Sequence, residues 1–428
     1  MRVLVVTPTQ SSETVTAVHV ARDLVAHGHE PAFLASPEAR RQLPPGFRRR
    51  SFELTGDLAA NFGIWTDALD TLSPQLVLFA DYPILAAPAT STPLSSHPGW
   101  AGSLEGLAAC PVTLDHLGLG QCPEPLTVGP SHLGGQTATF PELPAGMRVL
   151  LPCPMHHPGP VEGRRGEPFR YWDLPLGVPE DRRRRVRQRY LDSDRDFLVL
   201  HSVPAWAWKM AEALRLPYFR MLADIFGWYL GGAGRPVVVV SVNDGQLLGQ
   251  PAAGGPVRIL NTTAMAVDDF AELLFSADLV LTENKPSFTI GMAVCGLRPC
   301  AALRNSFPFA ELGGCLPAPL GDWVAAMEWE RPGAVFPFEV FPMGLTGELD
   351  KLGLYRASAL VGAFDELEIF GGEPTRRRLA RLLTDPEARD ELHARQLAYV
   401  ELLAEAPPPA ALLERCWEEW ASPPAGVR

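Results

Sequence analysis

Four short segments carry side chains able to do chemistry, and each follows an apolar run. Val3–Val6 leads to Ser11-Ser12-Glu13-Thr14, the run ending at Leu114 leads to Asp115-His116, the run ending at Leu200 leads to His201-Ser202, and the run around Val280 leads to TENKPSFTIGMAVCGLRPCAAL. Glu13 stands where an apolar helical segment begins. A carboxylate there, in a partly desolvated cleft, can take the proton of a hydroxyl nucleophile. The same position also fits an ordinary first-turn acid, stabilised by the helix dipole and capped by Ser11 or Ser12. His116 can act as a base in its own right, or Asp115 can orient and polarise a partner across a cleft. The plainer alternative is that Asp115 caps the turn LGLG and His116 packs beneath it. His19 falls within an apolar helical periodicity and reads as a core or surface histidine.

The elements that must position these groups alternate between strand and helix. Val3–Val6 reads as a buried strand, 15–27 as an amphipathic helix closed by Gly28, and Pro31–Leu34 as the next strand, a βαβ unit. Further strands are expected at Leu76–Phe79 and Pro111–Leu114, with 83–98 mostly loop. Between about Gly166 and Asp196 the chain passes through FRYWDLPLGVPED and the charged helix DRRRRVRQRYL, after which the alternation restarts with FLVLHS. The second half predicts a helix over 206–229, strands at Val237–Val240 and Val257–Leu260, a helix over 270–277 and a strand at Leu279–Thr282. The tail reads as two helices from Glu373 to Leu403, separated around Asp385 and Pro386, and a last one over 410–420. The expected fold class is α/β, with two Rossmann-like doubly wound domains facing a central cleft. The expected division is an N-terminal domain over 1–180, a C-terminal domain over 181–408, and a final helix over 409–428 that packs back on the first domain.

Composition narrows the function. The chain has 428 residues, 46% of them apolar, and 49 acidic against 37 basic side chains give a formal charge of -12. That balance argues against a nucleic-acid polymer as partner, while leaving room for a local phosphate pocket. Seven scattered cysteines suit reduced thiols, and no run approaches the ~18 apolar residues of a membrane span, so the expectation is a cytoplasmic protein without membrane attachment. CPMHH, Cys153 to His157, lacks a second ligand pair at zinc spacing, so no metal is expected. The arginines 182–185 suit a solvated helix face, and Trp206 and Trp208 suit core packing. No GxGxxG or GxxxxGK[ST] follows a strand, which argues against a nicotinamide-dependent oxidoreductase or a P-loop kinase.

MRVLVVTPTQSSETVTAVHVARDLVAHGHEPAFLAS is similar to the opening of glycosyltransferases of the GT-B fold. VRILNTTAMAVDDFAELLFSADLVLTENKPSFTIGMAVCGLRPCAAL resembles the nucleotide-sugar-binding region of that UDP-glycosyltransferase-like superfamily, and EPTRRRLARLLTDPEARDELHARQLAYVELL its closing helices. The stretch 83–195 carries little of this likeness. In the resemblance, Glu13 falls where the family has its histidine base and Glu283 where it has a donor-binding histidine. The paired glycines of the family become Asn284 and Lys285, and its ribose-holding acid becomes Gly291. Lys285, Ser287 and Thr289 then offer a cation and two hydroxyls at a helix start, chemistry suited to a diphosphate.

The resemblance implies a hexosyltransferase-type enzyme that moves a sugar from a nucleotide-sugar donor to a hydroxyl of a small molecule such as a nucleoside or other natural product. Inversion is expected, with Glu13 as general base and Asp115 and His116 as further catalytic candidates. The acceptor is expected near Ser11, Ser12, Asp81 and Tyr82. The donor is expected near His201, Ser202, Asn261, Thr262, Thr263, Glu283, Asn284, Lys285, Ser287, Thr289, Arg304, Asn305 and Ser306. The nucleotide sugar is a co-substrate, so no separate cofactor is expected, and the molecule is expected to be a monomer or homodimer. The alternatives are a sugar-nucleotide epimerase of the same fold and a catalytically inactive nucleotide-sugar-binding protein.

Overall fold

The computed structural model describes the chain apart from residues 8–11, 88–93, 122–125, 130, 160–164, 171, 173, 175, 244–246, 253, 286, 313, 315, 348–357 and 423–428, and apart from the side chains of 12, 121, 126, 128, 131, 136 and 138. Ser11 therefore lies outside the described residues, as does the side chain of Ser12.

Apolar β-branched runs form the strands and alternate with amphipathic helices. In the first half these are β1 (Arg2–Thr7), β2 (Glu30–Ala35), β3 (Ser51–Glu53), β4 (Leu76–Phe79), β5 (Cys110–Leu114), β6 (Leu126–Val128), β7 (Gln136–Ala138), β8 (Arg148–Cys153) and β9 (Glu167–Arg170). The second half contains β10 (Phe197–Ser202), β11 (Val237–Val242), β12 (Val257–Thr262), β13 (Leu279–Thr282), β14 (Cys300–Arg304) and β15 (Asp365–Glu368). Seven of the first group make one sheet in the order β3-β2-β1-β4-β5-β8-β9. The second group makes another in the order β12-β11-β10-β13-β14-β15, and β6 and β7 form a separate antiparallel hairpin. Every pairing within the two large sheets is parallel. These are two Rossmann-like sheets. In each the strand order reverses direction at one place, between β1 and β4 and between β10 and β13, and ligands of such sheets bind outside the carboxyl ends at that point.

Most sequence-derived elements appear within a few residues of their expected bounds, and Gly28 ends the first helix with a positive φ of 79°, a conformation that glycine adopts without a Cβ penalty. One helix differs. The segment expected to run unbroken over 206–229 is two helices, Ala205–Ala213 and Tyr218–Leu230. Pro217 cannot donate a helical hydrogen bond and disfavours helical geometry in the residue before it, and the chain turns at Arg215 with a φ of 57°.

The halves meet largely through helices. The helix Ser12–Ala26 reaches the helix Val267–Ser276 through Arg22 Nη2, which donates to both carboxylate oxygens of Asp268 at 2.8 Å. The His19 ring packs edge-on to Trp172 at 6.1 Å, and Trp172 packs against Phe288 at 5.2 Å. Burial holds the His19 imidazole down, at about 3, with Arg22 acting in the same direction. The C-terminal helix Pro409–Ala421 lies on the first half, where Glu414 bonds His29 at 2.7 Å and Asp23 accepts the amide of Ala410 at 2.8 Å.

Candidate functional site

Asp81 lies 68 residues after Glu13 and His116 a further 35 after Asp81, yet strand order brings them together. Glu13 follows β1, Asp81 follows β4 and His116 follows β5, and these three strands are neighbours, with Val6 opposite Phe79 and Phe79 opposite Thr113. A hydroxyl contact between Thr7 and Thr14 ties the end of β1 to the first turn of the helix carrying Glu13. Glu13 is 8% exposed, Asp81 4% and His116 4%, so the cluster is buried.

Asp81 organises this cluster. It caps the helix Tyr82–Ala86 by accepting from the Ile84 amide at 3.0 Å, and its other oxygen accepts the His116 amide at 3.1 Å. The same oxygen lies 3.4 Å from His116 Nδ1, although neither ring nitrogen of His116 makes a hydrogen bond to the described residues. Burial pushes the Asp81 carboxyl up to about 7, against the opposing pull of the Ile84 and His116 amides. Burial pushes the His116 imidazole down, and the nearby carboxylates of Glu13 and Asp115 push it back up. Glu13 is thus close enough to His116 to be felt electrostatically.

Asp115 caps the turn after β5 by accepting the Gly120 amide at 3.2 Å. Its carbonyl accepts from His156 Nε2 at 2.5 Å. That contact engages one histidine of the CPMHH segment, and no group of three or more potential metal ligands gathers among the described residues. Tyr82 turns into the apolar cluster with Phe79 and Trp100 rather than towards the carboxyl ends.

On the second sheet, His201 and Glu283 end β10 and follow β13 and form one buried unit. His201 Nε2 donates to both Glu283 oxygens at 3.0 Å, and its Nδ1 meets Ser241 Oγ at 3.0 Å. The Tyr218 hydroxyl donates to the same carboxylate, and burial followed by that carboxylate raises the Tyr218 phenol well above its ordinary value. Asn261 is likewise engaged internally, bonding Asn243 at 2.9 Å and both main-chain groups of Leu248 at 3.1 and 2.7 Å. Thr262 and Thr263 stay at the surface end of β12.

The helix Phe288–Cys295 starts just beyond. Ser287 caps it by accepting the Thr289 amide at 3.1 Å, and the Thr289 hydroxyl donates to Ser202 Oγ at 3.3 Å. The strand ends therefore bring Ser202, Ser287 and Thr289 to one place. Lys285 sits beside them, but its ammonium is held between Glu339 at 3.3 Å and Glu366 at 3.0 Å. Glu366 also bonds Arg304 at 3.2 Å, Arg304 meets Glu368 at 3.1 Å, and Glu368 accepts from the amide and hydroxyl of Ser306 at 2.8 and 2.6 Å. Asn305 is turned inward onto the carbonyls of Phe307 and Phe336.

Sequence reasoning missed the segment 333–345. It crosses the carboxyl ends of β13 and β14, with Lys285 N bonding Glu339 O at 3.1 Å, Phe341 N bonding Glu283 O at 3.0 Å and Phe338 N bonding Asn305 O at 2.7 Å. From the first half, the amide of Gly129 reaches Met343 O at 2.6 Å, and Leu117 joins Trp206 and Met343 around Val340. Only its aromatic spacing, FPFEVF, signalled a buried strip. Gly291 is the other close approach. A Cβ there would lie 2.4 Å from Pro154 Cγ, so the departure from the family's ribose-holding acid coincides with contact between the two halves.

The architecture is that of GT-B glycosyltransferases. The structure titled "Spinosyn Forosaminyltransferase SpnP" is similar to this chain with a TM-score of 0.54 at 16% identity, over 99% of this chain and 100% of that one. The glycosyltransferase VinC, solved in complex with dTDP, is similar with a TM-score of 0.50 at 15% identity, over 98% of this chain and 100% of that one. No curated protein matches the sequence. No helix among the described residues is long and apolar enough to cross a membrane. The family model described as "Family of unknown function (DUF6365)" matches residues 20–421, and the chain belongs to that family.

Proposed function

We propose that this protein is a glycosyltransferase that moves a sugar from a nucleotide-sugar donor to a hydroxyl of a small-molecule acceptor with inversion. The observation that carries the proposal is the buried Glu13–His116–Asp81 cluster at the switch point of the first sheet, across the junction from Ser202, Ser287 and Thr289 at the switch point of the second. Glu13 takes the acceptor's hydroxyl proton as the oxygen attacks the anomeric carbon, and the nucleoside diphosphate leaves with the bonding electrons. Asp81 fixes the main chain of His116, whose ring feels the Glu13 carboxylate. Ser202, Ser287, Thr289 and Lys285 face the diphosphate, Thr262 and Thr263 the nucleoside, and Arg304 and Ser306 the sugar. His201, Asn261 and Asn305 act one layer back and hold these loops in place. The fold shared with a forosaminyltransferase and with a dTDP-bound glycosyltransferase supports this reading.

A second reading, a nucleotide-sugar-binding protein without turnover, is favoured by the neutralised Lys285 and by the contact of Pro154 with Gly291. The two are separated by calorimetry with dTDP and UDP alongside nucleotide release from a panel of nucleotide sugars with hydroxyl acceptors. Transfer predicts saturable nucleoside diphosphate binding and acceptor-dependent release. Binding without release supports the second reading, and no binding of either nucleotide overturns both.

A further inference from the structure

The outer edge of the first sheet holds a feature that the transfer reading does not use. Thr7 of β1 lies opposite Ala35 of β2, and Ala35 lies opposite Glu53 of β3, so β3 is two strands removed from the Glu13 cluster. Beside β3, Pro37, Arg40, Arg41, Arg48 and Glu53 line a cavity of about 280 Å³. Between residues 37 and 53 the sequence has five arginines against two glutamates, in a chain whose formal charge is -12. Folding brings three of these arginines, with Glu53, to the pocket.

Two of the guanidinium groups are already immobilised. Arg40 bonds Ser51 Oγ at 3.0 Å and Glu53 at 2.6 Å, and Arg48 Nη2 donates to the carbonyls of Arg41 at 2.9 Å and Leu43 at 3.0 Å. Arg48 Nε is buried and has no hydrogen-bond partner among the described residues. A buried donor without an acceptor is costly. Arg41 remains mostly exposed, 3.6 Å from Glu38. Fixed, planar guanidinium forks lose little further freedom when they engage an anion, and they match phosphate oxygens in pairs.

We propose that this pocket binds a phosphoryl group. A tetrahedral, multiply charged anion offers enough oxygens to accept from Arg40, Arg41 and Arg48 together, which a planar carboxylate does not. The proposal is independent of the sugar-transfer reading, because none of its residues belongs to the junction between the sheets.

The test is calorimetric titration of the full chain with inorganic phosphate, with glycerol phosphate and with acetate, repeated on Arg48→Gln and Arg41→Gln. Arg41→Gln changes an exposed side chain and keeps the test open where Arg48→Gln does not fold. The expected result is saturable phosphate or glycerol phosphate binding, weakened about tenfold or more in each folded variant, with acetate much weaker. Tighter inorganic phosphate identifies the free ion as the ligand, and tighter glycerol phosphate identifies a phosphorylated molecule. Absent phosphate binding, affinity unchanged in the variants, or acetate binding as tightly as phosphate would overturn the proposal.

Discussion

One oxygen of Asp81 accepts the main-chain amide of His116 at 3.1 Å and lies 3.4 Å from its ring Nδ1, so a single buried carboxylate fixes the backbone of the residue after β5 and stands beside its imidazole. His116 also feels the Glu13 carboxylate at the switch point of the first sheet, where ligands of such sheets bind.

The raised Asp81 carboxyl predicts a pH signature. A group whose folded value lies above its unfolded value contributes stability that is complete below the unfolded value, near 3.8, and is lost as pH rises to the folded value of about 7. Asp81→Asn removes this titration. Its melting temperature should therefore fall less steeply than that of the wild type between pH 4 and pH 7. Parallel melting curves over that range would show that Asp81 is ionised throughout.

Lys285 predicts opposite effects from two substitutions. Its ammonium is shared by Glu339 and Glu366, so Lys285→Ala should weaken nucleoside diphosphate binding by roughly 1.5 to 3 kcal/mol, about ten- to a hundredfold. Glu366→Gln removes one competing carboxylate and should tighten the same binding. Calorimetry with dTDP or UDP reads both, and unchanged affinity in both variants would take Lys285 out of the donor site.

Gly291 predicts a packing cost. In Gly291→Ala the new Cβ meets Pro154 Cγ at 2.4 Å, so the Pro154 ring or the helix must give way. Overpacking of this kind costs about 1 to 3 kcal/mol and should appear as a lower melting temperature. Wild-type melting of the folded variant would mean that the halves do not close on each other at this helix in solution.

Much of the fold was legible because buried parallel strands are near-continuous apolar runs. FLVLHS and LVLF mark β10 and β4 without help from tertiary structure. Short or edge strands such as β3 and β9 carry no such run, and the turn between β6 and β7 is bonded to the opposite half at Gly129 and His132. The site was legible in part. Glu13 and the Ser287-capped helix could be placed from the ends of strands, and the cap that Asp115 gives the turn LGLG could be read from the sequence. The bond between His201 and Glu283, the inward turn of Tyr82 and the two carboxylates on Lys285 were not legible. Each depends on partners 54 to 82 residues away, or on the direction a side chain takes from its strand end.

The central claim is that Glu13 accepts the acceptor's proton, and the direct measurement is turnover of Glu13→Gln. Nucleoside diphosphate release should be followed with the donor and acceptor that give wild-type activity, alongside calorimetry with the nucleotide alone. Glutamine keeps the size of the side chain but cannot take the proton, so release should fall by about 10²- to 10⁴-fold while nucleotide affinity stays near that of the wild type. Turnover close to that of the wild type in Glu13→Gln, together with its collapse in His116→Ala, would contradict the account and move the base to the residue that Asp81 holds.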